Sequence, residues 1–547
     1  MTPDVTDLDW LRSQIIGVDA TIHTPFGARP MLYADYTASG RGLHFVEGYL
    51  RSLLPLYANS HTEDDVTGRI TTALLHQAEE RIKSLVNAGP DGRIIAFGTG
   101  ATGAIDRMQQ LLGVKLPAAS RALLDALLEG FLGQEQASAF RRYRESHQPV
   151  VFVGPYEHHS NEISWRESLC TVVEVQMTAD GAIDLEHLES LLQEPAFRDR
   201  LRIGSFSAAS NVTGMISPVP EIAALLHRHD ALALFDYAAS APYVPIDMNP
   251  GRQPGDHLDA VFISPHKFLG GPGASGLLVF NKRCYRTDLP PSMAGGGTVE
   301  YVGPEDHDFL EDIEEREKAG TPGILQTIRA ALVMELKQAI GFERIEQRER
   351  AMVRQAFERW QAHPGIEILG NQDPERRVGI VSLNVRDPEG QYLHPRFVTT
   401  LLNDLFGIQS RAGCSCAGPY GHKLLDISPV KAAEYRSWIT RGYHGVKPGW
   451  CRVGFHFAFD QAEVDYLLEC MEFVADHGHR FVHRYHFDAH SGSWTHREWR
   501  GELPTLSLQR ALEPVAGSSP LTQEQRRQRY RDALDEARDL AEDSGSG

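Results

Sequence analysis

Cysteine is scarce, with six residues (Cys170, Cys284, Cys414, Cys416, Cys451 and Cys470) in a chain of 547. That is too few for a disulfide framework, so reduced thiols and a cytoplasmic setting are expected. Positive charge is also in short supply. Lys and Arg number 54 against 73 Asp and Glu, a formal net charge of −19. A chain this acidic is not built for general binding to nucleic acid or to an anionic membrane surface. No stretch approaches the ~18 consecutive apolar residues of a membrane span. The opening MTPDVTDLDWLRSQII has no basic segment ahead of an apolar run, so a secretory signal is not expected. Internal repeats are absent too. A content of 42 % hydrophobic and 23 % charged residues excludes a disordered or fibrous chain. At roughly 100–200 residues per domain there is room for two to four domains or one large layered enzyme.

What is present is an alternation. IIAF (94–97), VVFV (150–153), TVVEV (171–175), IGSFS (203–207), LALF (232–235), AVFI (260–263) and GLLVF (276–280) read as strands. Between them lie amphipathic stretches such as EIAALLHRH, where Ile222, Leu225 and Leu226 fall on one helical face. Strand–helix alternation predicts an α/β fold with a mostly parallel sheet covered on both faces. After about residue 320 longer helices and shorter strands predict a smaller α+β domain. The expected division is an N-terminal arm (1–30), a large domain (31–310), a small domain (311–500) and a tail with a charged helix ending in Gly/Ser (501–547). Two stretches read as insertions, one helical and polar (116–148) and one loop-rich (417–449).

In sheets of this kind ligands bind at the carboxyl ends of the strands, so the residues just past those ends carry the chemistry. FGTGATGAID places glycines and threonines between a strand and a helix, a seat for phosphate at a helix N-terminus. No Lys follows, so it is not a Walker loop, and taken singly it is only a tight turn. PYEHHSNEISW follows the second strand with two histidines, and SFSAASNVTG brings Asn211 into a polar turn. LALFDYAAS ends a buried strand in Asp236, a position that is costly for a carboxylate without a cationic partner. FISPHKFLGGPGASG carries Lys267 among glycines. Each residue has an ordinary structural explanation alone. The ordered set asks for a ligand with a phosphate, a ring nitrogen that wants an acid and a carbonyl that wants an amine, and pyridoxal 5′-phosphate (PLP) has all three.

With EHHSN, SNVTG, FDYAA, SPHKFLGGPG, AGTP, RAGCSCAG and CRVGFHFAFDQAEVD in this order, the chain resembles the class V aminotransferases, in their cysteine desulfurase and selenocysteine lyase branch. The resemblance runs from about Tyr33 to about Phe473. It implies the aspartate aminotransferase-like PLP transferase fold (type I) and a homodimer with shared active sites. It also implies a small amino-acid substrate and a sulfur-acceptor protein. By motif position it makes Lys267 the Schiff-base lysine, Asp236 the partner of the ring nitrogen and His158 the stacking, proton-moving imidazole. Asn211 would contact the ring's phenolic oxygen. Ala101, Thr102, Ser264 and His266 would hold the phosphate, with Thr321 reaching that of the neighbouring subunit. Arg452 would clamp the substrate carboxylate, a task for which a planar guanidinium is suited. Cys416, five residues after Arg411, would be the nucleophile that takes sulfur as a persulfide and releases alanine.

Two departures stand out. Where the family often has a Gln three residues after the pyridine acid, this chain has Ala239, so that ring contact is missing or supplied by another residue such as Ser240. The pattern Arg-x-Gly-Cys-x-Cys, closer to the molybdenum-cofactor sulfurase form, leaves Cys414 a second candidate. No other Cys pair lies close to the C-x-C, so a zinc site is not expected. A same-fold C–S lyase, epimerase or aminotransferase stays open, as does a non-catalytic scaffold. His479, His483, His486 and His490 are read as solvated histidines on a helix end and hairpin, and the C-terminal helix as solvated or subunit-packing.

Overall fold

The structure, a computed structural model, describes residues 4–60, 62, 64–501, 504–513 and 521–544. It comprises two compact units, one formed by Ser39–Glu343 and the other by the chain before Ser39 together with the chain from Arg344 onward.

The first unit is built on seven strands: β1 (Gly92–Ala96), β2 (Val150–Val153), β3 (Thr171–Glu174), β4 (Arg202–Ser207), β5 (Leu232–Asp236), β6 (Ala260–Ile263) and β7 (Leu277–Asn281). Their spatial order is β1-β7-β6-β5-β4-β2-β3. β2 through β6 pair in parallel, and β7 runs antiparallel to both β1 and β6. β1 therefore points the same way as β6, and the carboxyl ends of β1, β2, β4, β5 and β6 share one edge. The expected strands are all found, within a residue or two of their predicted ends. Apart from the half-buried edge strand β3 they are mostly buried because helices cover them, which is why they read as continuous apolar runs rather than alternating ones.

Six helices of this unit position the rest: α1 (Val66–Leu85), α2 (Gly100–Leu111), α3 (Ala118–Leu132), α4 (Gln134–His147), α5 (Val219–Arg228) and α6 (Ile324–Ile340). Ile105 and Met108 of α2 join Ile95, Val151, Ile203, Leu234, Phe262 and Leu278 in one core cluster. Ile222, Leu225 and Leu226 of α5 are buried as their spacing predicts. The contact is so close that a Cβ on Gly204 would lie 2.4 Å from Leu226. The 116–148 stretch is a helical hairpin, α3 and α4, turned at Gly133 (φ 77°). It is less polar than expected, since Leu123, Leu127 and Phe131 of α3 are exposed.

The second unit holds the antiparallel sheet β8 (Ile366–Ile368), β9 (Ile380–Val385), β10 (Arg411–Gly413) and β11 (Trp450–Gly454), in the order β8-β9-β11-β10. Its helices include α7 (Pro395–Phe406), α8 (Gly418–Leu424), α9 (Pro429–Thr440), α10 (Gln461–His477) and α11 (Gln523–Ser544). The 417–449 stretch is thus not loop-rich but carries α8 and α9. Pro419 and Pro429 fall in the first helical turn, where a missing N–H costs no hydrogen bond, so they start these helices instead of breaking them. Nor is α11 a solvated helix. Tyr530, Ala533, Leu534, Ala537 and Ala541 are buried, Tyr530 stacks on Tyr466 at 4.0 Å, and Arg526 pairs with Asp19 and Asp460. The Gly/Ser end expected after α11 lies outside the described residues. The His-rich stretch forms a short helical turn and the hairpin β12 (Tyr485–Asp488) and β13 (Ser493–His496). Among the described residues no helix is long and apolar enough to cross a membrane.

Candidate active site

The shared strand edge of the first unit gathers most of the motif residues. Asp236 is the last residue of β5 and is 4 % exposed. Burial pushes its carboxyl up from the usual range, while the Ala238 N–H (2.8 Å) and the charge of Lys267 pull it back. Lys267 closes a turn, Pro265–Lys267, that follows β6 and is tied by Lys267 N–H to Ser264 O at 3.0 Å. The amine and the acid are therefore within electrostatic reach of each other, as their positions at neighbouring strand ends require.

Ser264 and α2 make the cradle next to them. Ser264 Oγ accepts the Ala101 N–H at 2.8 Å. Gly100 opens α2 at φ 61°, and a Cβ there would lie 2.8 Å from Ser264 Oγ and 3.4 Å from His266 Nε2. Only glycine combines that left-handed backbone with that approach, so the turn brings the backbone at the start of α2 directly against the Ser264 hydroxyl and the His266 imidazole. Burial, with Lys267 adding to it, pushes His266 down to about 4, so it is a neutral hydrogen-bonding ring at neutral pH. Thr102 Oγ1 shares a 2.7 Å hydrogen bond with Ser160 Oγ in the turn after β2. In that turn His158 Nδ1 accepts the Ser160 N–H at 3.1 Å, which leaves the proton of the neutral ring on Nε2. Asn211 is 8 % exposed in a turn pinned by Ser210 Oγ, which accepts the N–H groups of Val212 and Thr213 at 3.2 Å. Ala239 and Ser240 follow Asp236. Ser240 Oγ is buried and has no hydrogen-bond partner among the described residues. Thr321 is exposed, ahead of α6.

The second unit carries the remaining motif residues. Arg452 lies in the middle of β11, 4 % exposed, in register with Arg411 of β10. One acid bridges them, with Asp35 Oδ2 accepting from Arg411 Nε at 2.9 Å and Oδ1 from Arg452 Nη2 at 3.1 Å. Two guanidiniums on one carboxylate leave a net positive charge, which suits an incoming carboxylate. Asp35 stands within YADYTASGRG but had no assigned role. Nothing local marks it, because its partners lie 376 and 417 residues away.

Past β10 the chain turns sharply. Ser415 and Cys416 both adopt left-handed backbone, φ 50° and 56°, before α8 begins. Two successive non-glycine residues in this region are strained, and such strain concentrates at working sites. Trp450 Nε1–H donates to Ser415 Oγ at 3.2 Å and Ala417 N–H to Cys414 O at 3.0 Å, which hold the turn. Cys416 is exposed and Cys414 half-buried, while the other four cysteines are buried. Burial pushes Cys170 and Cys451 up to about 11, away from thiolate character. Cys416 is near enough to Arg452 to act on its charge.

This is the architecture of the PLP-dependent transferases of the aspartate aminotransferase type. The family model Aminotransferase class-V matches residues 139–467, and the chain belongs to that family. A probable cysteine desulfurase of Halalkalibacterium halodurans is 28 % identical over 417 residues, 75 % of this chain and 90 % of the relative. One from Staphylococcus aureus is 28 % identical over 416 residues, covering 75 % and 89 %. Among solved structures, the apo cysteine desulfurase of Thermococcus onnurineus superposes with a TM-score of 0.65 at 22 % identity, over 85 % of this chain and 98 % of that one. The cysteine desulfurase CsdA of Escherichia coli gives 0.62 at 19 % identity, over 85 % and 98 %. Enzymes of the class V family use PLP.

Proposed function

We propose that the chain is a PLP-dependent cysteine desulfurase that takes sulfur, or selenium, from a cysteine-like amino acid and releases alanine. What carries this reading is Asp236, buried within electrostatic reach of the half-buried Lys267 at the strand ends of the first unit; the second unit, taken by itself, carries an exposed thiol, Cys416, in a strained turn. The residues fit PLP: Ser264 and His266 stand against the Gly100 turn at a helix start, as a phosphate seat requires, and the buried acid of Asp236 suits a cationic ring nitrogen. PLP, when bound, supplies an aldehyde for an amine and a ring that withdraws electrons from the substrate's Cα. Lys267 Nζ would hold that aldehyde and, once displaced by substrate, take the Cα proton. Asp236 would hold the ring nitrogen in its positive form, and His158 would face the ring with its Nε2–H. Ser240 Oγ is suited to replace the contact that Ala239 does not make. Arg452, aligned by Asp35, would bind the substrate carboxylate. Cys416 Sγ would attack the substrate sulfur, so that an S–S bond forms and the Cβ–S bond breaks; Cβ keeps the electron pair and gains a proton, and Cα regains the proton that Lys267 took, to give alanine. A homodimer in which Thr321 meets the second subunit's phosphate, an acceptor protein for the persulfide and a reducing cytoplasm complete the reading.

Incubating the PLP-loaded protein with L-cysteine and with L-selenocysteine tests it. Alanine and protein-bound sulfur are expected; pyruvate with free sulfide would instead mark a lyase of the same fold. Two variants probe the parts. Gly100→Ala puts a methyl group into the cradle on a backbone that disfavours it, and should weaken PLP binding by about tenfold or more. Retention of the visible band through dialysis at the wild-type level would show that the turn is not the phosphate seat. Asp35→Asn leaves Arg452 and Arg411 facing each other without their shared acid. The KM for the amino acid is expected to rise about tenfold with kcat changed less. An unchanged KM would mean that Arg452 holds its place without Asp35.

A further inference from the structure

The EHH motif begins with a residue that the proposed reaction does not use. Glu157, 3 % exposed, follows β2. Its carboxylate accepts four hydrogen bonds. Oε1 takes the N–H groups of Ser207 (2.8 Å) and Gly154 (3.1 Å), and Oε2 takes Ser207 Oγ (2.6 Å) and Asn161 Nδ2 (2.7 Å). Asn161 is itself fixed. Its Oδ1 accepts from Ser205 Oγ at 2.6 Å and Trp165 Nε1 at 3.2 Å, and its Nδ2 also reaches Ser205 O at 3.1 Å, so the amide cannot turn over. Every group on the carboxylate donates, which is the shell of an anion. Among the described residues no cation pairs with it.

Ser207 connects this acid to Asp236. It ends β4, in register with Asp236 at the end of β5, and the Ala208 N–H donates to Asp236 O at 2.8 Å. Two buried carboxylates thus stand past the ends of β2 and β5, on either side of β4, and among the described residues an amine, that of Lys267, acts on Asp236. Burial pushes Glu157 up to about 7 against its four hydrogen bonds, and the charge of Asp236 adds to the rise. A buried acid without its own counter-ion is costly, and a cation arriving at the neighbouring acid relieves that cost.

We propose that Glu157 is a positioning residue that acts on the cofactor's ring nitrogen through Asp236. Its four bonds fix the ends of β2 and β4 beside β5, and its negative charge favours the positive form of the ring nitrogen that Asp236 meets. The inference rests on the PLP reading above and goes beyond it, because a second acid then shares in the hold on the cofactor.

A double-mutant cycle separates this from a merely structural role. The dissociation constant of PLP is measured by absorbance titration for wild type, Glu157→Gln, Asp236→Asn and the double variant, each first checked for cooperative unfolding without cofactor. Glu157→Gln should weaken PLP about tenfold in the wild-type background and less than about twofold where Asp236 is already Asn. Equal weakening in both backgrounds would reduce Glu157 to a clamp and overturn the proposal, as would no weakening in either. If Glu157→Gln does not fold, Ser207→Ala serves in its place. It removes one donor from the carboxylate and should weaken PLP about threefold, again only when Asp236 is present. A wild-type protein that does not bind PLP would remove the underlying reading as well, whereas tight wild-type binding with additive variants would remove only the role of Glu157.

Discussion

Lys267→Ala is expected to abolish turnover, with a loss on the order of 10³-fold or more, since proton transfer by a placed base alone is worth roughly 10²–10⁴-fold. Borohydride reduction of the PLP-loaded wild type should tag the peptide containing Lys267, and the variant should carry no tag. The fold should survive. Lys267 holds its turn through its backbone N–H to Ser264 O, which alanine keeps. Asp236 would lose the amine that opposes the upward push of burial, so the variant's acid should be easier to protonate, not harder. Turnover above about a tenth of wild type, or a borohydride tag on another lysine, would refute the assignment.

Cys416→Ala should separate the two halves of the chemistry. Protein-bound sulfur and sulfur transfer are expected to fall to background, at least about 10²-fold, while the visible absorbance of bound PLP stays as in the wild type. The thermal midpoint should hardly move, because Cys416 is exposed and alanine pays the same conformational cost at φ 56° as cysteine does. Cys414→Ala, at the half-buried position before the turn, is the matched comparison and should keep most of the sulfur transfer. Full persulfide formation by Cys416→Ala together with its loss in Cys414→Ala would move the nucleophile two residues back.

The frame of the site was readable from residue order for a physical reason. Buried parallel strands must be apolar along their whole length, so Asp236 at the end of LALF and Lys267 just past AVFI stand out against them. The polar supports were not readable. Glu157 is one acid among many until Ser207, 50 residues on, is folded against it, and Asp35 acquires meaning only from arginines more than 370 residues away. Proline misled in 417–449, because its effect depends on whether it falls in the first turn of a helix or later. The mostly charged α11 hid its buried stripe, since alanines with one leucine and one tyrosine on a strongly charged helix give little hydrophobic contrast. The left-handed pair at Ser415 and Cys416 has no compositional mark at all, as neither residue is glycine.

Asp35 precedes Ser39–Glu343, yet it serves arginines that are made after that whole segment. At about 5–20 residues per second on the ribosome, Asp35 emerges roughly 20–80 s before its partner strands exist. The Ser264 and α2 cradle can assemble while translation continues, whereas the contact of Asp35 with its arginines forms only after β10 and β11 have been made. Nascent chains released early should therefore retain the first and lack the second.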